Sequence, residues 1–373
     1  MNIAVMCNWS SDKPADRPEL ISTLYSMGHR LYEYGIQGAF LHPSYAEHGA
    51  DFVPIIANRN NTNPFRELGS LWDVKKKIKK YSIGAAVIYG VKNHSAMAIG
   101  AKLGGARNIV CVVNGSGNLF RISGWKGRLV RGIALPMLKI AYGVSDYVCF
   151  QNRDDMDLFM KLGLVKREEK AFVTNGSGIC LEDFPQQPLP EKNIFLFLAR
   201  ITPTKGILEY IEAARIVKMQ YPDAEFHVVG PMDTAVEGDQ VDRILDSAVA
   251  EGIICYHGST KDVQYWMKKC RFFVYPSYYP EGVPRCGIQA IATGRPIITC
   301  DTPGCRETVV DSYNGYGIQP KDPVALADKM VYLIQNPHVA ERMAGHSYEL
   351  AREKFNVYDV NAQLIQRLLE GHE

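Results

Sequence analysis

Two basic residues, Arg200 and Lys205, stand in a short polar turn where their charges can act together. The turn lies between an apolar run that ends at Ala199 and a helical pattern that begins near Gly206. A strand followed by a helix places both cations at the carboxyl edge of a sheet, beside the free N–H groups of the helix. Such a group can hold a diphosphate and stabilise it as it leaves a reacting carbon. The alternative is a pair of solvated basic residues in an ordinary polar turn.

A second segment, Val274–Thr299, carries an acid on a loop between a strand and a helix. The strand ends at Pro276, and Glu281 then offers a carboxylate that can accept hydrogen bonds from sugar hydroxyls. Gly282 lets the backbone approach a ligand closely, and the start of the following helix offers N–H groups to phosphate or sugar oxygens. Gln289 lies eight residues after the acid, two turns along if the helix has started by then. The alternative is a loop carboxylate and a polar helix residue without a ligand.

The elements that must position these residues alternate between short apolar runs and amphipathic segments, which is typical of repeated βα units and parallel sheets. In the first half we predict strands at Ile3–Met6, Ala39–Leu41, Ala85–Tyr89, Ile109–Val113, Tyr147–Phe150 and Ala171–Thr174. In the second half the predicted strands are Ile194–Ala199, Glu225–Val229, Ile253–Tyr256, Phe272–Tyr275 and Pro296–Thr299. Helical periodicity is clearest at Ile207–Gln220 and Pro323–Ile334, and Val357–Leu369 is a further amphipathic helix.

The length of 373 residues is too great for one ordinary core, so two domains are expected. A proline-rich polar stretch, Phe184–Lys192, suits a linker and divides 1–185 from 186–373. Each part is then an α/β, doubly wound, Rossmann-like domain, and the final helix at about 357–373 is a candidate to pack back on the first domain. Two such domains are expected to face each other across a cleft at the carboxyl edges of their sheets, where ligands usually bind.

Charge and composition exclude several classes of protein. The formal net charge is +2, so a whole-surface attraction to nucleic acid has no support. The nine cysteines form no C-x-x-C pair and lie mostly in apolar runs, which indicates reduced, buried thiols and neither a disulfide frame nor a zinc site. The first residues predict a strand rather than a signal peptide, and no apolar stretch reaches the ~18 residues that span a membrane. Because no G-x-G-x-x-G follows the first strand, a Rossmann dehydrogenase is excluded.

The two segments and their surroundings resemble family 4 of the retaining glycosyltransferases, which have the GT-B fold of two Rossmann-like domains. The signature of that family is a glutamate, seven residues and a second glutamate after a strand that ends in Pro-Ser, with an Arg/Lys-Gly turn earlier in the same domain. The matching parts here are Pro276, Ser277, Glu281, the turn Arg200–Gly206, and the flanking Gly294–Pro296 and Thr302–Glu307. The resemblance covers essentially the whole chain.

The resemblance implies a donor site in the carboxyl-terminal domain. In the family the first acid contacts the donor sugar, a role that Glu281 inherits, and the second contacts the ribose hydroxyls. Gln289 stands in the second position, where an amide keeps hydrogen bonds but loses charge assistance worth about 1 kcal/mol. The catalytic set implied is Arg200, Lys205 and Glu281, with the two cations carrying the charge that develops on the diphosphate. The donor-binding set implied is Gly206, Gly230, Gly258, Gly282, Val283, Pro284 and Gln289.

The implied reaction is transfer with retention and without a covalent nucleophile. The acceptor hydroxyl attacks on the face that the diphosphate is leaving, and an oxygen of the leaving phosphate helps take its proton. This scheme needs no metal and no cofactor, since the nucleotide sugar is a substrate. Asp155 and Asp157 match the metal-binding D-x-D pattern of other glycosyltransferases. They open a predicted helix, however, where acidic residues commonly cap the helix and complement its dipole, and we favour that interpretation.

Several segments of the first half resemble a branch of the family, bacterial enzymes that extend sugars on undecaprenyl diphosphate. They are Tyr89–Lys92, Val113–Phe120, Phe150–Asp155 and Asn175–Gly178 followed by Leu181. N-acetylgalactosaminyl and related UDP-sugar transferases of surface-glycan assembly belong to that branch, so the acceptor implied is a polyprenyl-diphosphate-linked saccharide held by the amino-terminal domain. The candidate acceptor contacts are Lys92, His94, Asn114, Gly115 and Gly117. The alternatives are a solvated surface position for Lys92 and a surface or structural role for His94.

Two basic amphipathic segments suit a membrane surface. Leu71–Tyr81 combines Trp72 and Ile78 with several lysines, and Trp125–Lys139 places basic residues among Leu, Ile and Met. Basic residues with aromatic anchors bind anionic headgroups in the interface plane. The alternative is a normal helix that is apolar toward its sheet and basic outside, and we favour that alternative for the first segment only. The expected location is cytoplasmic and peripheral, on the inner face of the cell membrane.

Two other hypotheses compete with this interpretation. Gln289 motivates a catalytically weakened homologue that binds a nucleotide sugar or a partner enzyme without efficient turnover. Restoring the glutamate distinguishes that hypothesis, because a degraded site gains activity. A GT-B enzyme with phosphorylase-like or sucrose-phosphate-like activity is the other hypothesis. It would act on soluble acceptors and would not need the basic amphipathic segments.

Overall fold

The computed structural model describes residues 1–15, 17–56, 64–117, 124–232 and 238–371 of the chain. The chain divides into two compact units, Met1–Gly176 with Val357–Glu373 and Ser177–Asn356. The border falls after Gly176, earlier than the boundary at 185 predicted from the proline-rich stretch. No helix within the described ranges is both long and apolar enough to cross a membrane.

The first unit contains a parallel sheet of seven strands. The strands are β1 Asn2–Ser10, β2 Arg30–Ile36, β3 Ala50–Pro54, β4 Ala85–Tyr89, β5 Asn108–Val113, β6 Tyr147–Phe150 and β7 Ala171–Val173. Their order is β3-β2-β1-β4-β5-β6-β7, so successive strands are added in one direction from β1 to β3 and in the opposite direction from β4 to β7. We call the position between β1 and β4 the reversal of this sheet. Every residue of β4 and β5 is buried, as expected for parallel strands that helices cover on both faces.

Six helices of the first unit follow these strands. They are α1 Pro18–Ser26, α2 Ser44–Glu47, α3 Pro64–Lys80, α4 Val91–Gly104, α5 Gly124–Val144 and α6 Arg153–Lys161. The close packing of α3 on α4 depends on glycines. A Cβ at Gly100 would lie 2.7 Å from the carbonyl oxygen of Leu71, and one at Gly104 would lie 2.6 Å from the Cβ of Ile78. Larger residues at these positions would push the two helices apart.

The second unit repeats the arrangement with six parallel strands. They are β8 Ile194–Leu198, β9 Glu225–Val229, β10 Cys255–Tyr256, β11 Phe272–Tyr275, β12 Ile297–Cys300 and β13 Gly315–Ile318. The order is β10-β9-β8-β11-β12-β13, so the reversal lies between β8 and β11. Phe195 of β8 stacks on Phe226 and Phe272 of its two neighbours, with ring centroids 5.0 and 4.9 Å apart. These cross-strand pairs stabilise the register at the reversal.

Helices cover both faces of the second sheet. They are α7 Ile207–Gln220, α8 Gly238–Ala250, α9 Val263–Lys269, α10 Arg285–Ala292, α11 Pro323–Gln335 and α12 Pro337–Lys354. The final helix, α13 Val357–Leu369, belongs to the first unit. Its Leu364 and Leu368 are buried in the core beside β1 and β5. The side-chain amide of Asn108 donates to the carbonyl oxygens of Leu368 and Glu370, at 3.1 and 2.8 Å, and so fixes the end of the helix to the start of β5.

The proline-rich stretch is held on the second unit by a buried cation. Arg295 has no exposed side-chain surface, and its guanidinium donates to the carbonyl oxygens of Pro188 and Gln187 at 3.0 and 3.1 Å. The N–H of Gln187 also donates to the carbonyl of Thr293 at 3.1 Å. A guanidinium supplies several donors in one plane, which suits it to satisfy consecutive carbonyl groups of an extended chain. The stretch predicted as a linker is therefore an ordered part of the second unit.

The observed strands differ from the predicted ones at four places. The structure adds β2, β3 and β13, and it forms no strand at Ala39–Leu41, where Phe40 and Leu41 are more than half exposed. An acid, Glu33, interrupts the apolar run of β2, although the structure buries it, and two glycines weaken the pattern of β13. The other predicted strands are confirmed, and the predicted bounds of α7 and α13 agree with the structure.

Candidate active site

The predicted cations Arg200 and Lys205 follow β8 at the reversal between β8 and β11, the place where doubly wound sheets bind ligands. Pro203–Lys205 form one 3-10 turn, and Gly206 then adopts a left-handed φ of 84° before α7 begins. A Cβ at Gly206 would lie 2.2 Å from the carbonyl oxygen of Pro276, just after β11. Only glycine lets the turn close against this strand, so it brings Lys205 to the end of β11.

Lys205 is nearly buried, with 7% of its surface exposed. Its ammonium donates to Oε2 of Glu281 at 2.7 Å and to the hydroxyl of Tyr275 at 2.6 Å. It also lies 4.9 Å from the centre of the Tyr279 ring, within reach of a cation–π interaction. Arg200, by contrast, is exposed. The structure thus brings Lys205 and Glu281 into direct contact, as their places after adjacent strands of one sheet suggest.

The carboxylate of Glu281 is held by three neighbours. Lys205 binds Oε2, while the hydroxyls of Tyr275 and Ser277 donate to Oε1 at 2.6 and 3.2 Å. Ser277, which follows the end of β11, is fixed in turn, since its backbone carbonyl accepts a hydrogen bond from the hydroxyl of Thr302 at 3.0 Å. The acid is therefore preorganised before any ligand binds.

The loop after the acid is packed tightly. Gly282, Val283 and Pro284 are buried, and Pro284 takes the N-cap position of α10. A Cβ at Gly304, whose φ is 82°, would lie 1.9 Å from the carbonyl oxygen of Gly282. The two backbones therefore touch directly, and the first turn of α10 is fixed beside Glu281. Pro284 provides no side-chain cap, so the dipole of α10 can act on a nearby anion.

Two predicted donor-binding glycines join the ends of β8, β9 and β10. A Cβ at Gly230 would lie 1.7 Å from the carbonyl oxygen of Ala199, so only glycine fits there. The N–H of Gly230 donates to the carbonyl of Gly258 at 2.8 Å, and the hydroxyl of Tyr256 donates to the carbonyl of Gly230 at 2.9 Å. These contacts hold the two loops together. They explain the presence of Gly230 and Gly258 at these positions by the fold alone, without any role in binding a nucleotide.

Gln289, the departure from the family pattern, lies in the second turn of α10 and is half-buried. Its backbone carbonyl accepts from the N–H and the hydroxyl of Thr293, at 3.1 and 2.9 Å. Within the described ranges its side-chain amide makes no hydrogen bond. The amide can therefore serve a ligand without breaking a bond inside the protein.

His94 does not lie where the acceptor prediction required. It has no exposed surface, its Nδ1 lies 3.0 Å from the hydroxyl of Tyr142, and its Nε2 lies 3.1 Å from the carbonyl oxygen of Ile88. Burial lowers the pKa of His94 to about 4, so the ring is neutral at ordinary pH. The acceptor prediction for His94 is therefore wrong, and the structural alternative is correct. His94 lies on the face of α4 that packs toward the sheet. The sequence alone could not show which face of this helix is buried.

Lys92 stands in the first turn of α4 and is exposed. That turn contains no acidic residue, and Gly90 at the N-cap provides no side-chain cap. Partial burial lowers the pKa of Lys92, and the neighbouring Glu67 opposes this shift. The position at the carboxyl edge of β4 agrees with the prediction that the residue follows a strand. Its contact with an acceptor stays a prediction.

The predicted glycine-rich loop follows β5 and is bound to α6. Gly115 and Gly117 both have positive φ, 102° and 61°, while the buried Oδ1 of Asn114 makes no hydrogen bond within the described part of the chain. The rest of the quoted segment, 118–120, lies outside the described residues. Burial raises the pKa of Asp155, and hydrogen bonds from Asn152 and Ser116 oppose the shift. Asp155 thus connects the loop to the helix.

The D-x-D residues have structural partners. Asn152 is the N-cap of α6, with its Oδ1 accepting from the N–H of Asp155 at 2.8 Å and its amide donating to the carboxylate at 2.9 Å. Asp157 pairs with Arg153 one turn away, at 3.2 Å. The first-turn position of Asp155 supports the dipole interpretation, although the cap itself is the asparagine. Across the described residues, no group of three or more His, Cys, Asp or Glu side chains could hold a metal ion.

Three contacts at the strand ends were not foreseen from the sequence. Tyr275 and Ser277 both bind Glu281, and the guanidinium of Arg17 lies 4.6 Å above the ring of Tyr89. Tyr275 and Tyr89 are the last residues of β11 and β4, which are the strands beside the reversal in each sheet. Each of these tyrosines is a polar aromatic residue at the end of an otherwise apolar strand next to the reversal. That pattern could have identified Tyr275 and Tyr89 from the sequence.

Comparisons with known proteins agree with this geometry. Residues 181–349, most of the second unit, match the family described as "Glycosyl transferases group 1". The N,N'-diacetylbacillosaminyl-diphospho-undecaprenol alpha-1,3-N-acetylgalactosaminyltransferase of Campylobacter jejuni is 26% identical over 85% of this chain and 84% of its own. The UDP-Gal:alpha-D-GlcNAc-diphosphoundecaprenol alpha-1,3-galactosyltransferase of Escherichia coli is 26% identical over 73% of this chain and 71% of its own.

A solved structure shows the same fold over the whole chain. Anabaena HepE, in complex with UDP and glucose, aligns with a TM-score of 0.76 and 18% identity, and the alignment covers 99% of each chain. The chain therefore has the GT-B fold, and its residues 181–349 match the glycosyl transferases group 1 family.

Proposed function

We propose that the chain is a retaining glycosyltransferase that moves a hexose or N-acetylhexosamine from a UDP-sugar to a polyprenyl-diphosphate-linked saccharide, in the assembly of a surface polysaccharide or glycan. The observation that carries the proposal is the contact of Lys205 with Glu281 at the reversal between β8 and β11. One charged pair there supplies both functions that the reaction needs. It offers a cation for the leaving diphosphate and an acceptor for sugar hydroxyls.

The donor is held by the second unit in this proposal. Arg200 is exposed after the end of β8 and would contact the diphosphate there, while Lys205 supplies an ammonium from a nearly buried position. The uncapped start of α10 adds the positive end of a helix dipole. The Escherichia coli relative is named for a UDP-Gal donor, and HepE was solved in complex with UDP, which supports UDP as the nucleotide.

The chemical step follows from these charges. An acceptor hydroxyl attacks the anomeric carbon as its bond to the diphosphate breaks, on the same face, and a phosphate oxygen takes the hydroxyl proton. Lys205 and Arg200 stabilise the charge that develops on the diphosphate, and Glu281 orients the sugar through its hydroxyls. We propose that no metal is required, because the two cations and the α10 dipole supply the positive charge.

The acceptor is assigned to the first unit. The Campylobacter jejuni and Escherichia coli relatives are both named for undecaprenol-diphosphate-linked sugars, and both align with most of this chain. This supports a lipid-diphosphate acceptor. The cationic candidates are Lys92, which is exposed at the start of α4, and Arg17, which lies above Tyr89 at the end of β4. A diphosphate would be recognised by such groups through charge-assisted hydrogen bonds. The loop at Asn114 follows the neighbouring strand β5.

Contact with an anionic membrane belongs to the same proposal, and α5 supports it better than α3. In α3 the apolar residues Leu71, Val74 and Ile78 are buried, as in a normal helix of this fold. In α5, Ile133 and Ile140 are more than half exposed one heptad apart, and Arg128 and Lys139 are exposed nearby. Exposed apolar side chains on one helical face with basic neighbours suit the interface of a bilayer. The proposed location is the inner face of the cell membrane.

A second candidate is a weakened homologue that binds nucleotide sugar or a partner enzyme without efficient turnover. The observation that favours it is the amide of Gln289 in place of the second acid, in an otherwise complete site. The preorganised Lys205–Glu281 pair argues for the active enzyme, because a site without selection for turnover has no need of this charge pair.

The test is a transfer assay with a panel of UDP- and GDP-sugars and a short-chain lipid-diphosphate-sugar acceptor. We expect one UDP-sugar to be transferred, with retained anomeric configuration by NMR and with full activity in EDTA. Glu281→Ala should abolish transfer. Asp73→Ala is the matched control, because Asp73 pairs with Lys77 at the same 2.7 Å and with 16% of its side chain exposed against 18% for Glu281. UDP binding without transfer from any donor would favour the weakened homologue.

A further inference from the structure

Tyr275 lies between the two charged residues of the donor site. It is the last residue of β11, and 1% of its surface is exposed. Its hydroxyl is 2.6 Å from the ammonium of Lys205 and 2.6 Å from Oε1 of Glu281. No role for this residue follows from the motif that contains Glu281, because the tyrosine belongs to the strand and not to the loop.

The direction of each hydrogen bond is fixed by chemistry. An ammonium can only donate, so the hydroxyl of Tyr275 must accept from Lys205 and give its single proton to Glu281. Burial and the adjacent carboxylate of Glu281 raise the pKa of Tyr275, which keeps the phenol protonated for this task. The result is a directed chain from ammonium to phenol to carboxylate.

The same counting shows which oxygen of Glu281 is available. Oε1 already accepts from Tyr275 and Ser277, which fills its two lone pairs. Oε2 accepts only from Lys205 within the described residues, so one lone pair remains. Without the phenol, Oε1 would lose its shorter hydrogen bond and the carboxylate could rotate about its last torsion, which is broad and roughly twofold.

We infer that Tyr275 is the positioning residue of the donor site: its hydroxyl fixes Glu281 so that Oε2 faces the donor sugar, and it holds Lys205 beside the leaving diphosphate. This inference rests on the proposed function. A positioning residue of this kind affects the transition state more than the binding of the nucleotide, because the phenol contacts only Lys205 and Glu281, which act on the diphosphate and the sugar.

The test is Tyr275→Phe, measured with the UDP-sugar that the donor panel selects. We expect kcat to fall about 10- to 100-fold, since the hydrogen bonds of the phenol to two charged groups are lost in a desolvated site, with the Kd for UDP changed by less than about threefold. The fraction of donor lost to hydrolysis should rise, because a less firmly held sugar is more open to water. Ser277→Ala removes the longer bond to the same oxygen and should lower kcat about threefold.

Tyr210→Phe is the matched control. Tyr210 is fully buried in the same unit, and its hydroxyl lies 2.9 and 3.2 Å from the backbone carbonyl oxygens of Phe195 and His227, which share its one proton, away from the charged pair. Both phenylalanine variants should lower Tm, and only Tyr275→Phe should lower kcat. Tyr275→Phe with wild-type kcat, or with a loss equal to that of Tyr210→Phe, would overturn the inference and leave the proposed function intact. A wild-type protein that transfers from no UDP-sugar would instead overturn the proposed function.

Discussion

The two units of this chain place a cation and a tyrosine at the same two positions of the same fold. In the first unit Arg17, from the loop after β1, lies 4.6 Å above the ring of Tyr89 at the end of β4. In the second unit Lys205, from the loop after β8, donates to the hydroxyl of Tyr275 at the end of β11. Each pair marks the reversal of its sheet. The architecture therefore supplies the positions, and the side chains decide the chemistry.

The difference between the pairs indicates different tasks. The pair of the second unit includes an acid, Glu281, and forms a short hydrogen-bonded chain that can orient a sugar and release a diphosphate. The pair of the first unit is a guanidinium above an aromatic ring. The guanidinium can bind an anion, but the pair contains no acid to orient a sugar. We call the carboxyl edge of the first unit's sheet the first edge and that of the second unit's sheet the second edge. We expect the second edge to carry the reaction and the first edge to hold the acceptor. Each of the following changes tests one side of that division.

Lys205→Met should have the largest effect. We expect kcat to fall about 1000-fold, because the leaving diphosphate loses a preorganised cation and Glu281 is left without its ionic partner. The measurement is the initial rate of UDP release with donor and acceptor. Lys77→Met is the control, since its 2.7 Å pair with Asp73 lies in α3 of the other unit. A Lys205→Met enzyme within about tenfold of wild type would show that the pair is not catalytic.

His94 distinguishes a core histidine from a ligand at the first edge. Its pKa is lowered to about 4 in the fold from 6.5, so below pH 6.5 the unfolded chain binds a proton that the folded chain does not. Stability should therefore fall as the pH drops from 6.5 to 4, by about 3 kcal/mol at most from this residue. We expect the curve of Tm against pH to be flatter over this range in His94→Gln. Parallel curves would contradict the assignment, since His227 and His257 titrate in both proteins.

Arg17→Met should act on the acceptor alone. We expect the KM for the lipid-diphosphate acceptor to rise about tenfold, which is the loss of one charge-assisted contact, while the KM for the UDP-sugar stays unchanged. Arg30→Met is the matched control, because Arg30 also lies over a tyrosine ring, that of Tyr32, at 5.3 Å. Arg30 is the first residue of β2, whereas Arg17 follows β1, so Arg30 is at the opposite edge of the sheet. A higher donor KM in Arg17→Met would contradict the division.

Gln289→Glu should have the smallest effect. We expect the donor KM to change by less than about fivefold and kcat by less than about threefold, because one neutral contact is replaced by a charged one. The exposed Gln335→Glu in α11 controls for the added charge. A rise in kcat of about 100-fold or more would identify a degraded site and favour the weakened homologue.

The donor site was predictable from the sequence because its parts follow strands. Lys205 and Glu281 come after β8 and β11, and parallel strands bring their carboxyl ends to one edge. The chain order of apolar runs could not show which face of α4 is inward, so His94 was assigned to the acceptor. Nor could it show that the hydroxyl of Tyr275 reaches both charges, since this depends on the register of β8 with β11.

The missed and misplaced strands have a similar cause. A buried acid in β2 and two glycines in β13 broke the apolar pattern, and the exposed run Ala39–Leu41 imitated it. The proline-rich stretch suggested a border because its composition is typical of linkers. Two buried arginines, Arg271 and Arg295, bind its carbonyl groups instead, and these contacts involve residues distant in the chain.

Titration calorimetry of UDP against Lys205→Met and Arg17→Met tests the division between the two edges most directly. We predict that Lys205→Met binds UDP about 10- to 100-fold more weakly than wild type, because a charged contact to the diphosphate is lost, while Arg17→Met binds it with unchanged Kd. Unchanged binding in Lys205→Met together with weakened binding in Arg17→Met would place the nucleotide at the first edge and contradict the account.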